Sequence, residues 1–311
     1  MKAIIFLLLI QTFCLAAGFS ENLHWQDIGK PIPARADLDV RWDASMENFP
    51  SKVWIYRLLP NQFSPEVISN VAVLCSFMEK DKTGQSTNGI TYQNSDGSRK
   101  LSFFFPSGDI HFEVPEPLDD PTNAFVGVPP QSQLPELAKN IFQKLRINFS
   151  DITGYFGTHK MEFDEAGTMY SIDHLAITNI SRRTVYFRRT VDGMPIFGHV
   201  YGFDFGERGK ITRLSIGWPK LERYMSYSTV SRKTIISFVH QGKAICGPVP
   251  DDVGELNWST VKSVTIKKVL PSYFMEKTDR IVPFLDFDAS IDTGQGSVVV
   301  GMACPIYDPT K

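Results

Sequence analysis

Four arginines, Arg182, Arg183, Arg188 and Arg189, give the middle of the chain its densest positive charge, and all sit in a run of strand-forming residues. Side chains alternate between the faces of a strand, so Arg188 and Arg189 point to opposite sides and do not form one clamp. Arg189 shares its face with Val185, Phe187 and Val191. A guanidinium on an apolar face needs a carboxylate or a route across the sheet edge to water. Two readings follow. Arg189, with Arg188, would be a basic contact for an acidic partner or peptide, or Arg189 would pair within the molecule with Glu207 or Asp204.

Other chemistries have weaker signatures. The six histidines (His24, His111, His159, His174, His199 and His240) include no HExxH and no pair spaced to converge on a metal, so neither a metal nor a cofactor is expected. There is no GxSxG elbow and no phosphate-binding P-loop, and no catalytic residue is assigned. A catalytic triad is spatial rather than sequential, so a hydrolase built another way stays open. In DFDASID, Asp286 and Asp288 alternate on one strand face without the ordered acidic register of a calcium loop, and a solvated face is the expectation. Of the four cysteines, Cys14 lies in the leader described next, and Cys75 sits in an apolar run as a small core residue. Cys246 and Cys304 are the candidate disulfide, since an oxidising compartment would allow a bridge.

The chain begins MKAIIFLLLIQTFCLAAGFS, one lysine, an apolar run and then small residues, which is the order of a secretory signal peptide over residues 1–18. Cleavage is expected between Gly18 and Phe19. Phe13 before Cys14 argues against a lipoprotein signal. No later segment has the ~20 unbroken apolar residues of a membrane span, so an exported protein, periplasmic or extracellular, is expected. Apolar residues make up 42% of the 311 residues and aromatics 12%, ample for real cores. The net charge of −2 is dispersed, which leaves no basic stripe for nucleic acid. The sequons at Asn148, Asn179 and Asn257 matter only in a eukaryotic secretory pathway.

The elements that must position these residues follow from periodicity. Ser64-Pro65 opens an amphipathic helix carrying Val67, Ile68, Val71 and Leu74; strands follow with Leu101, Phe103 and Phe105 on one face and Ile110, Phe112 and Val114 on another. A Pro-rich stretch, residues 116–132, reads as a linker. A second helix, with Leu137, Ala138, Ile141, Phe142 and Leu145, precedes a second meander ending at Trp218; a third starts near Ser231 and precedes three more strands. The expected fold is therefore α+β, with two to three tandem units over 37–115, 133–225 and 226–311, each packing one helix on an antiparallel β-meander in PepSY-like or cystatin-like layering.

Within the middle unit, VYFRRTVDGMPIFGHVYGFDFGERGKIT resembles the hairpin of propeptide-type domains, the PepSY family and its relative at the N-terminus of thermolysin-like protease precursors. The matching features are Tyr186, Arg189, the Asp192-Gly193 turn, Pro195 to Gly198, and Gly209-Lys210, with the helix PELAKNIFQKLRI where that family has one. The likeness covers Leu134 to Trp218. No peptidase or membrane segment follows, which departs from the usual family context. The resemblance implies a helix on an antiparallel sheet, a bacterial source, and a role in inhibiting or chaperoning an exported partner. It implies no catalytic residue. The functional expectation is an exported, non-catalytic binding or regulatory protein that docks an exported protein or peptide by adding a strand to a sheet edge. The alternatives are a secreted hydrolase or carbohydrate-active protein, and a purely structural envelope protein.

Overall fold

The computed structural model describes residues 29–46, 49–114, 127–154, 161–172, 175–197, 201–249, 256–275 and 279–308, with the backbone alone described over 165–172 and 175–179. The expected signal peptide with its Gly18-Phe19 cleavage point, and most of the Pro-rich stretch, lie outside these residues. Among the described residues are eighteen strands and three α-helices. In order they are β1 (Lys30–Pro31), β2 (Asp39–Trp42), β3 (Lys52–Leu59), α1 (Pro65–Leu74), β4 (Lys82–Ser86), β5 (Gly89–Gln93), β6 (Lys100–Phe104), β7 (Asp109–Glu113) and α2 (Leu134–Leu145). There follow β8 (Ile152–Thr153), β9 (Glu162–Ile172), β10 (Leu175–Val191), β11 (Met194–Phe197), β12 (Tyr201–Phe205), β13 (Ile211–Gly217), β14 (Lys220–Ser228), α3 (Arg232–His240), β15 (Ile245–Cys246), β16 (Ser263–Met275), β17 (Arg280–Asp292) and β18 (Ser297–Pro305). By contacts the chain divides into two compact units: Leu58–Glu222, and the chain up to Arg57 together with Arg223–Lys311.

In the Leu58–Glu222 unit the helices start where local chemistry allows. Ser64 caps α1, its side chain accepting from the Val67 N–H at 3.3 Å, and Pro65 fills the first turn, where a missing N–H costs nothing. Helix α2 ends at Arg146 in the left-handed region (φ 57°), whose N–H donates to the Gln143 and Phe142 carbonyls. Buried Val67, Ile68, Val71 and Ala72 of α1, and Leu134, Ala138, Ile141, Phe142 and Leu145 of α2, belong to one core. The strands below run in the order β4-β5-β6-β7-β13-β12-β10-β9, every neighbour antiparallel. Phe142 anchors the α2 side, with its ring 4.8 Å from Phe187 and 5.5 Å from Phe203 in edge-on contacts.

This sheet overturns the expected tandem of separate helix-on-meander units. β7 and β13, read as strands of two different meanders, hydrogen-bond to each other over five residue pairs, from Arg213↔Glu113 to Gly217↔Asp109. Two would-be edges are thereby paired, and one sheet and one core serve both helices. Hydrophobic alternation fixes which face of a strand is buried but is silent on which edges meet. The fold is dominated by large sheets rather than by repeated α+β modules.

The second unit makes the same point. Its strands run β1-β15-β18-β17-β16-β2, with β3 pairing the start of β17 at Arg57↔Arg280 and Tyr56↔Ile281. β2 and β16 are parallel, from Ser263↔Asp39 to Ile266↔Trp42, so the sheet is mixed. Helix α3, capped by Ser231 accepting from the Thr234 N–H at 3.2 Å, buries Ile235, Phe238 and Val239 and packs against β2 and β18. The C-terminal strands are therefore completed by N-terminal ones about two hundred residues earlier, a pairing no local pattern announces.

Phe187 touches Phe142, Tyr201 and Phe203 and is fully buried. Truncating it should leave a cavity the surrounding rings cannot close, so Phe187→Ala is expected to lower unfolding free energy by about 3–5 kcal/mol in a denaturant titration followed by tryptophan fluorescence.

Candidate functional site

The joining of β7 to β13 shapes a cleft of ≈ 230 Å³ in the Leu58–Glu222 unit. Its floor is Ile110 and Ile216, direct cross-strand partners at the seam. Phe63, Ser64 and Val67 from the entry to α1 form one wall, and Leu145, Arg146 and Ile147 from the end of α2 form the other. The walls are held together by an Arg146–Glu66 ion pair and by the Asn70 amide donating to the Lys144 carbonyl at 3.5 Å. Asn61 and Trp218 complete the rim.

Trp218 is the best-supported lining residue. Its N–H donates to the Gly108 carbonyl at 2.7 Å, and its carbonyl accepts from the Asn61 amide at 2.7 Å. Gly108 has φ +68°, and a Cβ there would lie 2.6 Å from the Pro219 nitrogen, so glycine is needed both for conformation and for the close approach. Behind the indole, the Arg189 guanidinium sits 4.5 Å from the ring centroid and Nη1 donates to the Pro219 carbonyl at 2.6 Å. Burial pulls the Arg189 pKa below its ordinary value, the charges of Tyr201 and Asp151 opposing it; burial likewise pushes the Tyr201 phenol up.

The two arginines singled out in the sequence both have aromatic partners within the molecule. Arg188 is 4% exposed and lies 3.9 Å over the Phe197 ring, while Arg189 braces Trp218. Asp204 is buried and taken by Arg213 through two bonds of 3.0 Å, with Arg182 at 3.6 Å. On its apolar face Arg189 meets neither Asp204 nor Glu207. An aromatic face and a backbone carbonyl suffice.

Cys246 and Cys304 are both free and buried, which corrects the expected bridge. Cys246 stands opposite Met302, two residues from Cys304 on β18, and such diagonal neighbours lie about 7–8 Å apart, beyond disulfide reach. Burial pushes both thiols up, and Cys75 to about 12. Among the described residues no group of histidine, cysteine and acidic side chains is placed to hold a metal. Asp288 is exposed opposite Lys268. Asp192 (φ 50°) and Gly193 (φ 77°) both take the positive φ that a two-residue hairpin turn of the primed type demands.

No family model and no curated protein matches the chain. Among solved structures it is similar to an uncharacterized protein from Eubacterium rectale ATCC 33656, at 13% identity and a TM-score of 0.47, over 86% of this chain and 85% of that one.

Arg189→Ala should cost about 1.5–3 kcal/mol of stability, since it removes a charged donor from a buried carbonyl, and should red-shift tryptophan emission as Trp218 loses its cover. The raised Cys75 pKa favours the folded state only while the thiol is neutral. Its contribution is intact below about pH 8.5, the unfolded value, and is lost as pH rises toward about 12. The denaturation midpoint of the native chain should accordingly fall more steeply between about pH 8.5 and pH 10.5 than that of Cys75→Ala.

Proposed function

We propose that the chain is an exported, non-catalytic binding module that docks an extended segment of an exported protein, seating an apolar side chain in the cleft over Ile110 and Ile216. The observation that carries this reading is the composition of the cleft. Seven of its ten lining residues are apolar, and Arg146 is the one ionisable group among them. Catalytic sites bring several titratable groups together in a pocket, whereas docking sites pair an apolar slot with a few polar groups at the rim. Asn61 and Ser64 supply those polar groups for the backbone of an extended segment, and Arg146 supplies a positive charge beside it. The resemblance of Leu134 to Trp218 to propeptide-type domains supports the same reading, since such domains act by contact with an exported protein. Among the described residues no helix is long and apolar enough to cross a membrane.

A displayed library of random peptides, panned on the full chain, tests the proposal. Enriched sequences should share one apolar residue flanked by an acid, and their binding should drop at least about tenfold on Phe63→Ala or Arg146→Glu. Enrichment that is indifferent to both changes, or no enrichment at all, would remove the cleft as the docking site.

A further inference from the structure

In the unit formed by the chain up to Arg57 and from Arg223 onward, two arginines face each other directly across neighbouring strands, Arg57 of β3 and Arg280 of β17. Directly opposed like charges destabilise an antiparallel pair. The usual remedy is an acid between them, yet no carboxylate among the described residues lies within ion-pair distance of Arg57. Among the described residues Arg280 has only its sequence neighbour Asp279, at 3.6 Å from Nε and 68% exposed, a surface contact that contributes little. What the two guanidinium groups share is a ring. Tyr224 of β14 lies 3.6 Å under the Arg57 guanidinium carbon and 5.4 Å from that of Arg280, and is itself 39% exposed.

A guanidinium stacked on a ring keeps its N–H donors in its own plane, directed past the ring edge toward solvent. Tyr224 therefore orders Arg57 without using its donors and holds it beside Arg280. We propose that Arg57, Arg280 and Tyr224 form a site for a dianionic phosphoryl group. The charge favours a dianionic group over a single carboxylate. Two fixed positive charges are neutralised by one phosphoryl group, which carries about −1.5 to −2 at neutral pH, whereas a single carboxylate leaves one charge uncompensated. Bidentate donation from each planar fork matches phosphoryl oxygens. The site is independent of the apolar cleft, and neither reading stands on the other.

The same chemistry is offered by free phosphate and by a phosphomonoester carried on a larger molecule, and one titration separates them. Inorganic phosphate and, in parallel, glycerol phosphate are added to the full chain labelled at tyrosine, with chloride holding ionic strength constant, and the Tyr224 ring resonance is followed. The expected result is a saturable shift with both, weakened roughly tenfold or more by Arg57→Gln and by Arg280→Gln. Tighter binding of the ester would assign the group to a larger carrier, and binding of phosphate alone to the free ion. Arg223→Gln is the control for folding and general charge. Arg223 lies over Trp54 at 5.0 Å and donates to the Tyr56 hydroxyl at 3.4 Å, so its loss should leave the affinity unchanged. A shift equal to that produced by chloride, affinity untouched in Arg57→Gln, or acetate binding as tightly as phosphate would overturn the proposal.

Discussion

The pairing of β7 with β13 is the constraint on which the Leu58–Glu222 unit depends. Five residue pairs turn two short meanders into one antiparallel sheet. Because each meander carries its helix at a fixed place, joining the strands sets α1 beside α2, so that the start of one helix meets the end of the other. The cleft floor, Ile110 against Ile216, is itself one of the joining pairs. A change that prised this seam apart would expose two strand edges and a strip of both helices, and would erase the cleft at the same moment. Stability and the proposed binding surface thus rest on one set of hydrogen bonds.

Much of the local structure was legible. Ser64-Pro65 and Ser231 mark two helix starts, the apolar stripe from Leu137 to Leu145 marks the buried face of α2, and Asp192-Gly193 marks a hairpin turn. Each of these is set by residues within one or two turns of chain. What the sequence left hidden is the joining of edges: β7 with β13 across about one hundred residues, and β2 with β16 across more than two hundred. Period-two alternation says which side chains are buried, and Leu101, Phe103, Ile110 and Phe112 are indeed buried. It is the same alternation whether a strand ends a sheet or sits in its middle, and so the tandem-unit expectation had no local signal against it.

The arginines show a related asymmetry. Sequence density drew notice to Arg188 and Arg189, and folding accounts for both, one over Phe197 and the other behind Trp218. Arg57 and Arg280 are far apart in sequence and lie in unremarkable stretches, yet the register makes them neighbours. Clusters of charge along a chain say little about clusters in space when the chain folds through long-range strand pairing. Trp218 and Pro219 could have been read from sequence as the stop of a meander, but nothing local shows that an arginine thirty residues earlier closes over them.

Because β3 carries the chain out of one unit and β14 brings it back, the Leu58–Glu222 unit is an insertion within the other. That order has a consequence for synthesis. The inserted unit is complete once Glu222 has emerged, while of the strands that precede it β1 waits for β15, β2 for β16, and β3 for β14 and then β17, and the sheet is complete only with β18. At about 5–20 residues per second, that interval is on the order of 5–20 s. Until β16 and β17 are made, β2 lacks its partner and β3 has β14 alone, with buried-type side chains such as Val53 and Ile55 not yet covered, the kind of segment a holding chaperone recognises. The half-made protein is therefore in greatest need of protection at its earliest-made strands, long after the ribosome has moved past them.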